Sequence, residues 1–260
     1  MKAYSIFSPG ILLQCSMLFV LAILVCSCTH VYYSPNSSNV PLFKEKGESR
    51  INGYYSSGGT IVDEIKGGEV QAAYAVSNHF GVIFNTAFMG ASDGSDNQKD
   101  AGNGSLIEAG AGYYKPLQGN YVFETYTGLG FGSVKNEYST GGSSKVSFDK
   151  FFLQPSIGYS GKIFDIGLAS KFSLVKMMIN HSTFMDESDP FKTYDMEYIK
   201  ANPFSVLWEP SLFVRIGFET VKAQFQFTPS YNLNNKMLAQ NVAVLSCGLS
   251  ISLKPKTANK

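Results

Sequence analysis

The stretch VKAQFQFTPSYN, residues 221–232, decides the fold of this chain. Apolar and polar residues alternate through it, and one face collects Val221, Ala223, Phe225, Phe227, Pro229 and Tyr231. Successive side chains of a β-strand point to opposite faces of the sheet, whereas a helix repeats every ~3.6 residues. The stretch therefore predicts a strand whose two faces meet different surroundings.

The same alternation recurs along the chain from Arg50 onward. The clearest further examples are 121–132, 164–175 and 208–219, with weaker ones at 49–56, 69–77, 81–89, 105–114, 148–160 and 242–253. Together they predict about ten strands, within roughly 8–12. Only part of 184–201 shows any helical period. The 25 glycines and 14% aromatic residues of this 260-residue chain are also typical of twisted antiparallel sheets.

Alternation alone does not say which face is inside, and a soluble, tethered lipocalin-like carrier with an apolar interior is one reading. The connections favour the inverted, membrane sense, because short ones alternate with long polar ones. Short turns are expected near 78–80, 115–120, 161–163 and 219–220, and long loops near 57–68, 90–104, 134–147, 176–204 and 233–241. Outer-membrane barrels combine short periplasmic turns with long extracellular loops. We therefore predict an all-β fold: an antiparallel up-and-down transmembrane β-barrel over residues 49–253, followed by a tail, 254–260.

Three prolines interrupt the strand patterns at Pro155, Pro210 and Pro229. Proline has no backbone N–H to give to a sheet ladder. We expect bulges, or places where the ladder loosens, at these positions.

The N-terminus resembles a lipoprotein signal. An apolar run of roughly fifteen residues, Ile11–Val25, has signal-peptide length and is short for a transmembrane helix. The following Val-Cys-Ser-Cys, residues 25–28, resembles the bacterial lipobox. This resemblance implies that 1–27 is a signal peptide and that Cys28 carries diacylglycerol on its sulfur and an acyl chain such as palmitate on its amine.

Residues 28–48 contain two prolines, a Ser/Asn cluster and no period of either kind, which predicts an extended, lipidated tether. Some surface-displayed lipoproteins carry acidic residues directly after the lipidated cysteine, and Thr29–Tyr32 has none. We therefore expect the lipid anchor on the periplasmic side of the cell outer membrane.

The last strand resembles the β-signal of outer-membrane proteins through Gly248, Ile251 and Leu253. Together with the lipobox, it makes residues 28–253 similar to the outer-membrane β-barrel lipoproteins common in Bacteroidota. The resemblance implies contact with outer-membrane lipid and transient contact with the barrel-assembly machinery.

If the polar faces point inward, they carry charges of both signs into the lumen. The expected inward set is Arg50, Glu69, Glu108, Glu124, Asp165, Lys171, Glu209, Arg215, Lys222 and Glu219. Such charges could form an ionic constriction, but we expect paired charges that fill a narrow barrel, since an unpaired buried charge is costly.

Other chemistry finds little support in the sequence. The net charge of +1 gives no electrostatic basis for nucleic-acid binding. His181 and Ser182, with Asp186, Glu187 and Asp189, form the only place where a catalytic set could gather, and we expect a polar surface loop there. The three histidines are scattered, and the aspartates of 93–100 are expected to be solvated, so no metal or cofactor is predicted.

The predicted function is a lipid-anchored outer-membrane barrel without catalytic activity. Its role would be structural, or interaction with an extracellular ligand through the loop 176–204. A small pore for a small solute, an outer-membrane barrel hydrolase and the soluble carrier remain as alternatives.

Overall fold

The computed structural model describes residues 31–59, 64–95, 98–139, 141–184 and 190–254. The expected signal peptide, the lipobox with Cys28 and most of the expected tail lie outside these ranges. Within them, no helix is both long enough and apolar enough to span a membrane.

Most of the described residues are in β-strands, and they include one α-helix and a 3-10 turn at Gln118–Asn120. The strands are β1 (Ser49–Gly59), β2 (Glu64–Ala75), β3 (Phe80–Ser95), β4 (Gln98–Pro116), β5 (Tyr121–Glu137), β6 (Gly142–Ser160), β7 (Phe164–Phe184), β8 (Phe204–Gly217), β9 (Val221–Pro229), β10 (Tyr231–Asn232) and β11 (Ala243–Leu253). Helix α1 (Pro190–Ala201) lies between β7 and β8, where the sequence had shown its only helical period.

The strands close into a barrel. Neighbours pair antiparallel in chain order from β1 to β9, and β11 completes the ring between β9 and β1. The two-residue β10 continues β9, because Tyr231 pairs with Trp208 in the register in which Phe227 pairs with Leu212. Counted this way, the described strands form a ring of ten, which confirms the predicted fold class.

The barrel is inverted with respect to a soluble one. In β9, Gln224 and Gln226 are buried in the lumen, whereas Phe225 and Phe227 are 56% and 45% exposed on the outer wall. The same pattern holds along β5, where Leu129 is 57% exposed. A continuous apolar outer surface suits lipid and would be unfavourable in water. The lipocalin-like carrier is therefore excluded as a fold.

The two ends of the barrel differ. At the short-turn end, connections 76–79, 117–120, 161–163 and 218–220 join the strands, and the strand ends Ser49 and Leu253 meet there. At the opposite, long-loop end, β3–β4 and β5–β6 run on as tall hairpins, and β7 extends beside β6. Much of the sequence expected as loop at 90–104, 134–147 and 176–184 is therefore strand, because backbone pairing continues past the apolar band.

The prolines loosen the ladder as expected. The β6–β7 pairs skip from Leu153–Phe172 to Ser156–Ala169, which leaves Pro155 out. The β8–β9 pairs stop at Leu212–Phe227 and resume at Trp208–Tyr231, past Pro210 and Pro229. The Trp208 Nε1–H donates to Ser170 Oγ at 2.9 Å beside this gap.

Candidate functional site: a plugged lumen

The lumen is filled by the chain itself. Residues 31–43, called the plug below, run inside the barrel, and within them 32, 33 and 35–43 are buried. The expected free tether over 28–48 is therefore not what the structure has over these residues. The segment shows no helical or strand period because its polar groups bond to side chains of the wall instead of to a regular ladder.

The plug runs from the long-loop end to the short-turn end. The Tyr32 N–H donates to Ala239 O at 2.9 Å, and the Asn241 N–H donates to Tyr33 O at 2.8 Å, in the connection between β10 and β11. At the other end, the Gly47 N–H donates to Ala75 O at 2.9 Å, next to the short turn 76–79. The first described residues of the chain thus lie at the long-loop end.

Ten charged residues are buried in the described barrel, five cations and five carboxylates. They are Arg50, Lys150, Lys171, Arg215, Lys222, Glu69, Glu108, Glu124, Asp165 and Glu209. Nine of the ten residues that the sequence predicted to face the lumen are among them. Glu219 is not, because it lies in the turn 218–220 and pairs with Lys254 in solvent.

Lys150 is the buried charge that the sequence did not reveal. It lies on β6 between Phe148 and Phe152, which also point inward, while Phe151 points outward. Because aromatic residues lie on both faces of this strand, the alternation does not show which face points into the lumen. The signal that could have found Lys150 is charge balance, because the other nine residues leave one carboxylate in excess.

An upper charge cluster holds the long-loop half of the plug. The Lys150 Nζ lies 3.0 Å from Glu108 Oε1 and 3.3 Å from Glu209 Oε2, and the Lys171 Nζ lies 3.7 Å from Glu108 Oε2. Ser173 Oγ donates to Glu209 Oε2 at 2.8 Å. Each cation therefore faces at least one carboxylate, as buried charges require.

Asn36 and Tyr33 connect the plug to this cluster. Asn36 Nδ2 donates to Glu108 Oε2 at 2.8 Å, and its Oδ1 accepts from the Lys171 Nζ at 3.1 Å. The Tyr33 hydroxyl donates to Glu209 Oε1 at 2.6 Å. One amide thus donates to a carboxylate and accepts from an ammonium at the same time.

Glu69 holds the next part of the plug. It accepts from the Ser37 N–H at 2.9 Å and from the Ser37 and Ser56 hydroxyls at 3.2 and 2.6 Å. Ser37 Oγ also lies 2.7 Å from Ser246 Oγ on β11. The plug therefore bonds across the seam at which β1 and β11 close the barrel.

A lower charge cluster lies toward the short-turn end. Asp165 faces the guanidinium of Arg50 at 3.3 Å and that of Arg215 at 3.7 Å, and it also accepts from Lys222. The Arg215 Nη2–H donates to Val40 O at 2.7 Å. Here the wall binds the backbone of the plug and no plug side chain.

Glu124 makes the second backbone contact of this half. It accepts from the Leu42 and Phe43 N–H groups at 3.0 and 3.1 Å. Leu42 is in the left-handed region, with φ of 55°, which points two successive N–H groups at one carboxylate. A non-glycine residue adopts this conformation at a cost, so the contact holds a strained backbone.

Two wall glycines make room for the plug. A Cβ at Gly158 would lie 2.9 Å from Leu42 Cδ2, and a Cβ at Gly81 would lie 3.1 Å from Phe43 Cε2. Both distances are shorter than ordinary van der Waals contact. The wall therefore has recesses that match the two plug side chains.

Apolar contacts close both ends of the lumen. At the long-loop end, Met196 and Ile199 of α1 belong to the cluster that contains Tyr32 and Tyr33. At the short-turn end, Phe43 packs with the ring of Tyr114, with centroids 5.6 Å apart. An open vestibule below reaches inward only as far as Pro41, Leu42 and Phe43. Lys44 on its wall donates to Ser160 O at 2.8 Å, and burial lowers its pKa.

The remaining predicted residues lie away from the plug. On β11, Gly248, Ile251 and Leu253 pair with Tyr54, Ile51 and Ser49 of β1, so the stretch that resembles the β-signal is the closing strand. Ile251 and Leu253 face outward.

The expected catalytic set is not assembled in the described residues. His181 and Ser182 are exposed near the end of β7, and Asp186, Glu187 and Asp189 lie outside the described ranges. The described part of the chain also holds no group of three residues that could bind a metal ion.

No family model and no curated protein matches this sequence. Among solved structures, the transport unit of the autotransporter AIDA-I from Escherichia coli is similar at 8% identity and a TM-score of 0.43, over 84% of this chain and 93% of that one. An outer membrane channel from Pseudomonas putida F1 is similar at 8% identity and a TM-score of 0.40, over 83% of this chain and 100% of that one. The outer membrane protease OmpT from Escherichia coli is similar at 10% identity and a TM-score of 0.36, over 84% of this chain and 99% of that one. The strands and burial of the described residues by themselves show a closed ten-stranded antiparallel barrel of the outer-membrane type.

Proposed function

We propose that the protein is a closed, lipid-anchored barrel of the outer membrane, with a structural or surface-interaction role and no catalytic activity. The observation that carries the proposal is the plug, whose residues 35–43 are all buried in the lumen. In this proposal the short-turn end faces the periplasm and the long-loop end faces outward, following the usual placement of short turns.

Two features support a closed state. Apolar residues cover the plug at both ends, as described above, and the buried charges are matched in number. A pore for small solutes would need a continuous wet path, and this lumen is occupied by backbone and side chains along the plug.

The outward end would provide the surface for interaction. It carries the tall β3–β4 and β5–β6 hairpins, the extended end of β7 and helix α1, which project beyond the apolar band of the wall. An extracellular ligand would bind through 176–204, while outer-membrane lipid surrounds the wall. Contact with the barrel-assembly machinery would be limited to insertion.

Conductance in planar bilayers tests the closed state. We expect the purified full-length protein to give no steady current, and Gly158→Leu, which fills the recess of Leu42, to give current steps. Gly53→Leu on β1 is the matched control, since a Cβ there has no neighbour within 4 Å. A steady current from the unmodified protein would refute the closed barrel.

A gated pore is the second candidate, and one observation favours it. Around the plug, the wall presents charged and amide side chains such as Lys150, Glu108 and Gln154. These side chains would line a water-filled channel if the plug left the lumen. Gating predicts that the unmodified protein opens and closes in response to voltage or to a ligand at the long-loop end. The absence of ionic current at all voltages would favour the closed barrel.

A further inference from the structure

We propose that the acyl chains on Cys28 enter the outer, cell-surface leaflet of the membrane, so that the protein is anchored from its exposed end. The inference rests on the proposed function, in which Cys28 is acylated and the long-loop end faces outward. It reverses the side that the sequence alone had indicated for the anchor.

The position of the first described residues carries this inference. Tyr32 bonds through its N–H to Ala239 and through its hydroxyl, at 3.2 Å, to the hydroxyl of Tyr138, and these partners lie in two different connections of the long-loop end. Tyr33 pairs with Gln240 in an isolated bridge. Residue 32 is therefore fixed at the long-loop rim, and Asn136 Nδ2 donates to Val31 O beside it.

The chain between Cys28 and this rim is too short to reach the other leaflet. Three residue steps separate Cys28 from Val31, and they span at most ~10 Å when fully extended. The apolar band of an outer-membrane barrel is ~25 Å tall. Cys28 can therefore reach lipid headgroups beside the long-loop rim but not those at the short-turn end.

The described part of the barrel leaves no other route back through the protein. The lumen is occupied by residues 32–43 of the same segment, with both ends covered by apolar side chains. A path outside the wall would place unpaired backbone in hydrocarbon, at a cost of several kcal/mol per group. The anchor and the short-turn end must therefore lie on opposite sides of the membrane.

Cysteine labelling on intact cells tests the side. In a Cys247→Ser background, which removes the exposed thiol of β11, single cysteines are placed at His30, at Lys46 and at Glu197. A membrane-impermeant maleimide is added before and after permeabilisation. We expect His30→Cys to label on intact cells like Glu197→Cys on α1, and Lys46→Cys, at the short-turn end, to label only after permeabilisation.

A protease site inserted between Thr29 and His30 gives a second readout. External protease should separate the acylated N-terminus from the barrel, seen as a mass change on gels. The proposal fails if His30→Cys labels only after permeabilisation, or if it stays unlabelled and the inserted site stays uncut.

Acylation is measured separately, by incorporation of an alkyne analogue of palmitate that Cys28→Ser should abolish. If the analogue is absent from the unmodified protein, the lipid-anchored function fails, whatever the labelling shows. If the analogue is present and residue 30 is protected on intact cells, only the surface location fails.

Discussion

The two halves of the plug are held by different means. In the upper half, side chains of the plug bond to wall charges, as Asn36 does with Glu108 and Lys171. In the lower half, wall charges bond to plug backbone, as Glu124 does with two N–H groups and Arg215 does with Val40 O. The contacts of Asn36 therefore depend on the plug sequence, and those of Glu124 and Arg215 depend on the wall sequence.

This difference says which substitutions should release the plug. A plug variant removes an upper contact but leaves a lower one, because every residue except proline offers the same N–H and every residue the same carbonyl. A wall variant can remove either. Single substitutions in the plug and in the wall test this contrast.

The largest effect is expected from Lys150→Met. It removes the ammonium between Glu108 and Glu209 and leaves excess buried negative charge, at a cost of about 3–5 kcal/mol. The free energy of unfolding in urea, followed by the heat-modifiable mobility of the folded barrel on gels, measures it. Lys145→Met, at an exposed position of the same strand, should change little. Equal losses in the two variants would contradict the importance of the cluster.

Asn36→Ala should follow. It removes the amide between Glu108 and Lys171 and costs about 1–3 kcal/mol for polar groups left unsatisfied. Ser38→Ala breaks a neutral hydroxyl contact of 2.9 Å with Ser211, so it should cost less, about 1 kcal/mol. Brief current steps in bilayers should appear with Asn36→Ala first. The reverse order would mean that charge plays no part in holding the plug.

Glu124→Gln tests the lower half. The amide keeps one acceptor for the two N–H groups but loses the charge, so we expect a loss of about 1.5 kcal/mol. Glu137→Gln, an exposed change on the same strand, is the control. An unchanged unfolding free energy in Glu124→Gln would show that packing of Leu42 and Phe43 suffices.

The smallest effect is expected from Glu219→Gln in the solvent. The hydrogen bond from Lys254 lowers the pKa of Glu219, so any contribution is present at neutral pH and is lost as pH falls below the usual carboxylate range. Exposed pairs contribute little because water screens them. We expect superimposable urea curves for Glu219→Gln and the parent at pH 7, and a shift as large as that of Glu124→Gln would contradict this.

Strand alternation made the wall readable from the sequence. In β9, for example, the polar face with Gln224 and the apolar face with Phe225 alternate without exception. The lengths of the connections then indicate that the polar face lines the lumen. Alternation failed at Lys150, where both faces are aromatic. It also failed for the extended hairpins. Their residues beyond the apolar band are polar, and nothing in the sequence showed that strand pairing continues there.

The plug could not be predicted, for a physical reason. Its partners lie on distant strands, and several of its contacts use backbone groups that carry no sequence signal. Ser37 and Asn39 look like linker residues because hydroxyl and amide groups suit solvent and a polar lumen equally well. The left-handed turn at Leu42 is formed by a residue that ordinarily disfavours it.

Closure of β11 onto β1 around the plug has a consequence for how the molecule comes apart. The plug is covalently continuous with β1, so ring and threaded chain form a lasso. Its tail can leave only by being drawn back through the ring or by the parting of the β1–β11 ladder. An acyl group at the far end would block the first route as a stopper does. Retention would then depend on topology more than on affinity, and weakening single contacts would loosen the thread without freeing it.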